Sequence, residues 1–189
     1  MRHVCPPPSV GARRCANPGS QTTRILIVGL PGSGKTTLLN RVSLSQGDKK
    51  IHDMGNQKFK VRNLVVEGLN LTVWDVGEDV YVDPYWADYH AERVQGVCFV
   101  LDSSNPTKFA EARKELFKLL SMEKLARVPL LIFANKGEVE GAASVVKASE
   151  ALELHEIKHR EYKVFRSSGV TDEGIQQGLE WMVSQKFSR

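Results

Sequence analysis

The 189-residue chain predicts an α/β fold: a mostly parallel six-stranded sheet with one antiparallel edge strand and helices on both faces. Three observations carry this. The runs at 24–28, 96–101 and 129–134 are short and almost continuously apolar, as expected of strands buried on both faces. Segments with apolar residues at helical spacing fall between strands, so the two element types alternate. A glycine-rich stretch, Gly29-Leu30-Pro31-Gly32-Ser33-Gly34-Lys35-Thr36, joins the first strand to the first helix and fits G-x-x-x-x-G-K-[ST].

Taken in order, residues 1–23 read as a basic, Pro-rich disordered tail, because Pro6-Pro7-Pro8, Gly11, Pro18 and Gly19 cannot carry a helix. Arg2, Arg13 and Arg14 without acidic partners faintly resemble a transit peptide, but the prolines argue against its amphipathic helix. Position 2 is Arg, so the N-myristoylation pattern is absent, while acylation of Cys5 or Cys15 stays open. One folded domain, 24–189, follows.

Its first strand, 24–28, leads through the glycine loop into a helix over 36–42. Residues 43–58 are polar and form a long loop, which inside a compact domain is often functional. Residues 59–66 and 69–74 make two strands, with Glu67-Gly68 as the hairpin turn. A helix starts near Pro84 with Trp86 and Tyr89 facing inward. The central strand 96–101 is followed by a helix from 102 to about 121, carrying Phe109, Leu116, Phe117 and Leu120 on one face. The strand at 129–134 precedes a helix over about 144–154. A short strand at 162–166 precedes a last helix from about Asp172, with Ile175, Leu179, Trp181 and Met182.

Composition is that of an ordinary globular domain, with a net charge of +4. No acidic residue precedes Asp48, so the excess lies early; it suits an acidic membrane surface as well as plain solvation, and nucleic acid is not an expected partner. Three cysteines in no disulfide or zinc spacing suit a reducing, cytoplasmic compartment. No apolar run is long enough to span a bilayer.

The chemistry follows from where the loops lie. A glycine loop between strand and helix can wrap a phosphate, since glycines bend without Cβ clashes and the helix N-terminus favours an anion. Lys35 supplies charge to the outer phosphates, and Thr36 a hydroxyl for Mg²⁺. Pro31 removes one N–H from the nest. Asp75 ends a strand some forty residues later, where a carboxylate can hold Mg²⁺ opposite that hydroxyl. Asn135-Lys136-Gly137-Glu138 ends another strand, and a carboxylate there can accept from both N1–H and N2–H of guanine, for which adenine has no match. Ser167-Ser168-Gly169 is expected to offer free amides to the base carbonyl.

These residues give the chain a plain resemblance to the small GTPases of the Arf and Arf-like family. Trp74-Asp75-Val76-Gly77, with Pro84, Trp86 and Tyr89 in register, matches the family's W-D-V-G region. Leu101-Asp102-Ser103-Ser104, Phe133-Ala134-Asn135-Lys136 and the stretch 174–181 match as well. The resemblance spans about 24–186, and the later half is similar to the ciliary, Bardet–Biedl-associated Arf-like branch. It implies the small G-protein variant of the P-loop NTPase fold and binding of GTP or GDP with Mg²⁺. It also implies two switch loops, protein effectors, an exchange factor, a monomer, and a site on a peripheral membrane or cilium. It assigns Gly29, Gly32, Ser33, Gly34, Lys35, Thr36 and Thr37 to phosphates, Thr36 and Asp75 to the metal, and Asn135, Lys136, Glu138, Ser168 and Gly169 to the base.

The departures from the family pattern are specific. Asn56 stands where the first switch offers Thr. Glu78 replaces the Gly whose amide meets the γ-phosphate, and Asp79 replaces the Gln that orients the attacking water. Glu138 replaces the base-reading Asp, and the family's myristoylated N-terminal helix is missing. The expectation is therefore a guanine-nucleotide-binding switch protein with weak or absent hydrolysis, acting in membrane or ciliary traffic. Two alternatives stay open: a pseudo-GTPase scaffold insensitive to nucleotide state, and a phosphotransferase like the nucleoside monophosphate kinases, whose loops also carry Pro-Gly-x-Gly-Lys.

Overall fold

The computed structural model describes residues 23–45, 59–66, 69–76 and 94–185, and every structural statement below concerns these. The expected tail up to residue 22, residues 46–58 of the loop expected over 43–58, the hairpin turn at 67–68, and the helix near Pro84 with Trp86 and Tyr89 lie outside them; residues 43–45 belong instead to the helix Lys35–Ser45.

Six strands form one sheet in the order β2-β3-β1-β4-β5-β6. They are β1 (Thr23–Val28), β2 (Phe59–Val66), β3 (Leu69–Val76), β4 (Gly96–Asp102), β5 (Leu130–Asn135) and β6 (Tyr162–Arg166). All neighbours are parallel except β2, which runs antiparallel to β3 at the edge. The expected sheet is thus the observed one, with β1 starting one residue early, at Thr23. Two strands adjacent in sequence pair antiparallel because a short turn reverses the chain; the others need a crossover.

Four helices cover the sheet: α1 (Lys35–Ser45), α2 (Phe109–Leu120), α3 (Val145–Ala151) and α4 (Ile175–Ser184). Side chains alternate along each central strand, so each face has its own core. Leu26, Val28, Phe99, Leu101, Ile132 and Ala134 pack against α2 and α3. Ile25, Ile27, Val73, Val100, Leu131 and Phe133 pack against α1 and α4. Burial pushes the Cys98 thiol far up, and the residue behaves as an apolar part of the second core.

The helix limits needed correction. The segment after β4 turns once as a 3₁₀ helix at Pro106–Lys108 before α2 begins. The face of α2 toward the core is Phe109, Ala112, Leu116 and Leu119; Phe117 is only half-buried, beneath the Arg113 guanidinium. α3 ends early because Glu153 takes a left-handed conformation ahead of a 3₁₀ turn at Leu154–Glu156. α4 starts at Ile175 rather than Asp172, since both Asp172 and Gly174 have positive φ. Trp181 on α4 is half-buried beside the core.

β1 lies between β3 on one side and β4 on the other, so the chain departs from it in both directions. Such a reversal opens a crevice at the carboxyl ends of the strands, where ligands of α/β sheets bind. The carboxyl ends of β1, β3, β5 and β6 all lie at that end.

Candidate functional site

The glycine loop, residues 29–34, fills the crevice beyond β1. Gly29 and Gly34 have φ of +148° and +94°, values that L side chains rarely adopt. Neither position has room for one: a Cβ on Gly29 would lie 2.3 Å from the Val100 carbonyl oxygen, and one on Gly34 2.3 Å from Asn135 Nδ2. Backbone N–H of Ser33 donates to the Leu30 carbonyl at 3.1 Å, closing the turn. Lys35 Nζ donates back to the carbonyls of Gly29 at 2.6 Å and Leu30 at 3.0 Å, which holds the ammonium against the loop. Ser33 is 1 % exposed, and its hydroxyl has no hydrogen-bond partner among the described residues. Thr36 and Thr37 stand exposed in the first turn of α1, whose leading N–H groups have no acceptor within a helix.

β3 delivers Asp75 to this loop. Its backbone lies opposite Ile27 of β1, and Thr36 Oγ1 donates to Asp75 Oδ2 at 3.1 Å. A hydroxyl and a carboxylate in contact are hard oxygen donors, the type Mg²⁺ takes, and Mg²⁺ commonly completes its shell with water and phosphate oxygens. The donor set therefore fits the expected metal, with Thr36 and Asp75 as the residues that would hold it.

A third group of residues comes from β4, β5 and β6. Asn135 ends β5 and is 2 % exposed. Its Nδ2 donates to the Ser33 carbonyl at 2.8 Å, so the asparagine buttresses the phosphate loop from below. Ser103 donates to the Asn135 carbonyl from both its hydroxyl (2.7 Å) and its backbone N–H (2.9 Å). Lys136 follows with φ +59°, and its Nζ donates to Asp102 Oδ2 at 2.6 Å. Partial burial alone would raise the Asp102 carboxyl. Hydrogen bonds from Lys136 and Ser104, with the Lys136 charge, outweigh burial and hold it below the usual carboxylate range. Glu138 is exposed at the rim of this turn.

The turn after β6 meets both groups. Gly137 N–H donates to the Ser167 carbonyl at 3.0 Å, joining the turn after β5 to the turn after β6. A Cβ on Gly169 would lie 3.0 Å from Thr37 Cγ2, so this turn rests on the start of α1. The expected run of free amides is not present. The N–H of Ser167 donates to the Ala134 carbonyl at 2.9 Å, and that of Ser168 to the Glu173 carbonyl at 3.1 Å. The Ser168 hydroxyl is also engaged, accepting from the N–H groups of Val170 (3.1 Å) and Thr171 (3.0 Å). The Ser167 N–H extends the β5–β6 ladder, and the Ser168 N–H closes the turn onto Glu173, so neither is left over.

The structure thus gathers residues 29–37, Asp75, Asn135, Lys136, Glu138, Ser168 and Gly169 around one crevice. Asn56, Glu78 and Asp79 lie outside the described residues. The supporting ties from Ser103 and Asp102 were not evident as such in the sequence. Only the register of the folded sheet, which sets Asp102 of β4 beside Asn135 of β5, brings them together.

Comparison with known proteins decides the family. The model of the ADP-ribosylation factor family matches residues 14–186. The chain belongs to this family. ADP-ribosylation factor-like protein 1 of Saccharomyces cerevisiae is 39% identical over 160 residues, 85% of each chain. ADP-ribosylation factor 1 of Brassica rapa subsp. pekinensis is 36% identical over 164 residues, 87% of this Arf-family chain and 88% of its own. Among solved structures, the Arl6 BBS3 small GTPase of Trypanosoma brucei with bound nucleotide analogue GppNp superposes with a TM-score of 0.72 at 26% identity. That match covers 86% of this chain and 96% of the trypanosome protein. The Arf-family chain is therefore a small GTPase in fold, as the resemblance implied.

Proposed function

We propose that this Arf-family protein is a guanine-nucleotide switch that binds GDP and GTP with Mg²⁺ and hydrolyses GTP very slowly. The observation that carries the reading is the 3.1 Å contact between Thr36 and Asp75, held in one frame with the base-facing turn by the Asn135–Ser33 hydrogen bond. In this reading the 29–34 loop and the first turn of α1 bind the phosphates through backbone N–H groups. Lys35 offsets phosphate charge. Mg²⁺, held by Thr36 and Asp75, would supply further charge neutralisation at the outer phosphates. The Lys136 stem, pinned by Asp102, flanks the base, and Glu138 accepts from its N1–H and 2-amino group.

Slow hydrolysis is argued from three residues. Asp79 cannot donate as the family's Gln can, and it is shorter. Glu78 puts a carboxylate in place of the family's γ-phosphate-facing Gly, and Asn56 is a poorer Mg²⁺ partner than Thr. We expect a single-turnover rate with γ-labelled GTP at or below about 10⁻⁴ s⁻¹, the scale of unassisted small GTPases. A markedly faster rate would show that another group positions the water. The same substitutions favour the second reading, a scaffold indifferent to nucleotide state, which would show as partner binding unchanged between GDP and GTP forms. Family membership speaks against the phosphotransferase alternative. Action through protein effectors and an exchange factor, on the cytoplasmic side of a membrane or at a cilium, rests on the likeness to Arf-like relatives, the trypanosome protein included.

A further inference from the structure

Arg166 belongs to none of the motifs that mark the site, yet it touches both turns proposed to read the base. It is the last residue of β6, with its backbone opposite Ala134 of β5. One Nη of its guanidinium donates to the Gly137 carbonyl, and the other donates to Glu173 Oε1 at 2.8 Å. The Glu173 carbonyl in turn accepts the Ser168 N–H at 3.1 Å. The chain of contacts Gly137–Arg166–Glu173–Ser168 therefore ties the turn that carries Glu138 to the turn that carries Gly169.

The fit at Gly137 is close. A Cβ there would lie 2.7 Å from Arg166 Nε and 2.8 Å from its Cγ, so the arginine stem lies directly over the glycine. Both backbone polar groups of Gly137 are engaged, its N–H by Ser167 and its carbonyl by Arg166. Gly137 immediately precedes Glu138, so these two bonds set where the Glu138 Cα stands and the direction in which its side chain leaves. That matters more here than with a shorter acid, because the extra methylene of Glu moves the carboxylate unless the backbone compensates. The Arg166–Glu173 pair is itself half-exposed, and such pairs contribute little to global stability.

We propose that Arg166 is a positioning residue for base selectivity, clamping the two turns so that the Glu138 carboxylate meets the 2-amino group of guanine. The proposal rests on the guanine-reading role given to Glu138 above. The probe pair is GDP and inosine diphosphate, which differ only in that amino group. A site built to accept from a donor discriminates against the analogue lacking it.

The full-length chain is titrated with both diphosphates as wild type, Arg166→Ala and Glu173→Ala, with thermal unfolding in parallel. The wild type prefers GDP. Arg166→Ala lowers the GDP-to-inosine diphosphate preference by about fivefold or more, mainly through weaker GDP binding, with a nearly unchanged melting temperature. Glu173→Ala moves the ratio in the same direction by less, because it removes one arm of the clamp and leaves the bond to Gly137. A ratio unchanged in Arg166→Ala, whether both affinities hold or fall in parallel, overturns the proposal. If Arg166→Ala does not fold, an unchanged ratio in Glu173→Ala overturns it instead. A wild type without preference for GDP over inosine diphosphate sinks the guanine reading itself, and the Arg166 proposal with it.

Discussion

At the end of the crevice proposed to hold phosphate, eight consecutive residues carry the geometry, and their means is the backbone: positive φ at Gly29 and Gly34 with no room for a side chain. At the end proposed to hold the base the means is side chains, brought from the ends of β4, β5 and β6 and tied by Asn135 to a loop 102 residues earlier. The first construction tolerates almost no change in shape but needs few partners. The second depends on each tie in a chain of hydrogen bonds, and it can be adjusted one side chain at a time. A longer acid at 138 belongs to the adjustable end, which explains how it can coexist with an intact phosphate loop.

The sharpest way to break this contrast is Gly34→Ala. An L residue at φ +94° costs about 1–2 kcal/mol, and displacing Asn135 leaves the Ser33 carbonyl short of its partner, about 1–3 kcal/mol more. GDP affinity should fall about a hundredfold by fluorescence titration. Binding within threefold of wild type would mean the backbone there is far more compliant than the contacts imply.

Asn135→Ala tests the link between the ends. It removes the bond to Ser33 and should weaken GDP and inosine diphosphate alike, each by about tenfold. Were only GDP affected, Asn135 would act on the 2-amino group of the base and not as a brace for the phosphate loop.

Glu138→Asp sharpens the comparison at the adjustable end. With the shorter acid of the family motif in a turn that Arg166 holds for Glu, GDP should bind about threefold less tightly, with adenine nucleotides still excluded. Tighter binding would show that the Arg166-held turn does not compensate for the extra methylene.

The smallest effect concerns pH. The Asp102 carboxyl is held below its ordinary value, about 3.9, by Lys136 and Ser104. A depressed carboxylate contributes stability that is complete above the unfolded pKa and is lost as pH falls through the folded one. Unfolding scans of wild type and Asp102→Asn should thus differ by a constant amount from neutral pH to just above 4 and converge below it. A difference that already shrinks between pH 7 and 5 would contradict the Lys136 pairing.

The parts of the molecule differ in how far they could be read in advance. Continuous apolar runs marked β1, β4 and β5, and one contiguous pattern marked the phosphate loop. Such signals are local, so no knowledge of packing was needed. Asp75, Asn135 and Lys136 could be picked out as strand-end polar residues, and the sheet order explains why strand ends converge. Helix limits were less legible. α4 opens at Ile175 because left-handed Gly174 fits against the Arg166 carbonyl, where a Cβ would lie 1.8 Å away. On α2, periodicity alone could not decide between Phe117 and Leu119, because the choice depends on the helix's rotation against the sheet.

By itself, the sequence determined the α/β class, the phosphate loop and the substitutions at 56, 78, 79 and 138, since each is a matter of residue type at a fixed spacing. Only the tertiary structure decided that Asn135 braces the loop, that Asp102 pins Lys136, that Ser167 and Ser168 have no amide to spare, and that Arg166 spans two turns. Apart from the bonds of Ser168 and Arg166 to nearby Glu173, these are contacts between residues 29 to 102 positions apart. Hydrogen bonds of that reach are set by which strands lie side by side and in what register, and no local pattern encodes them.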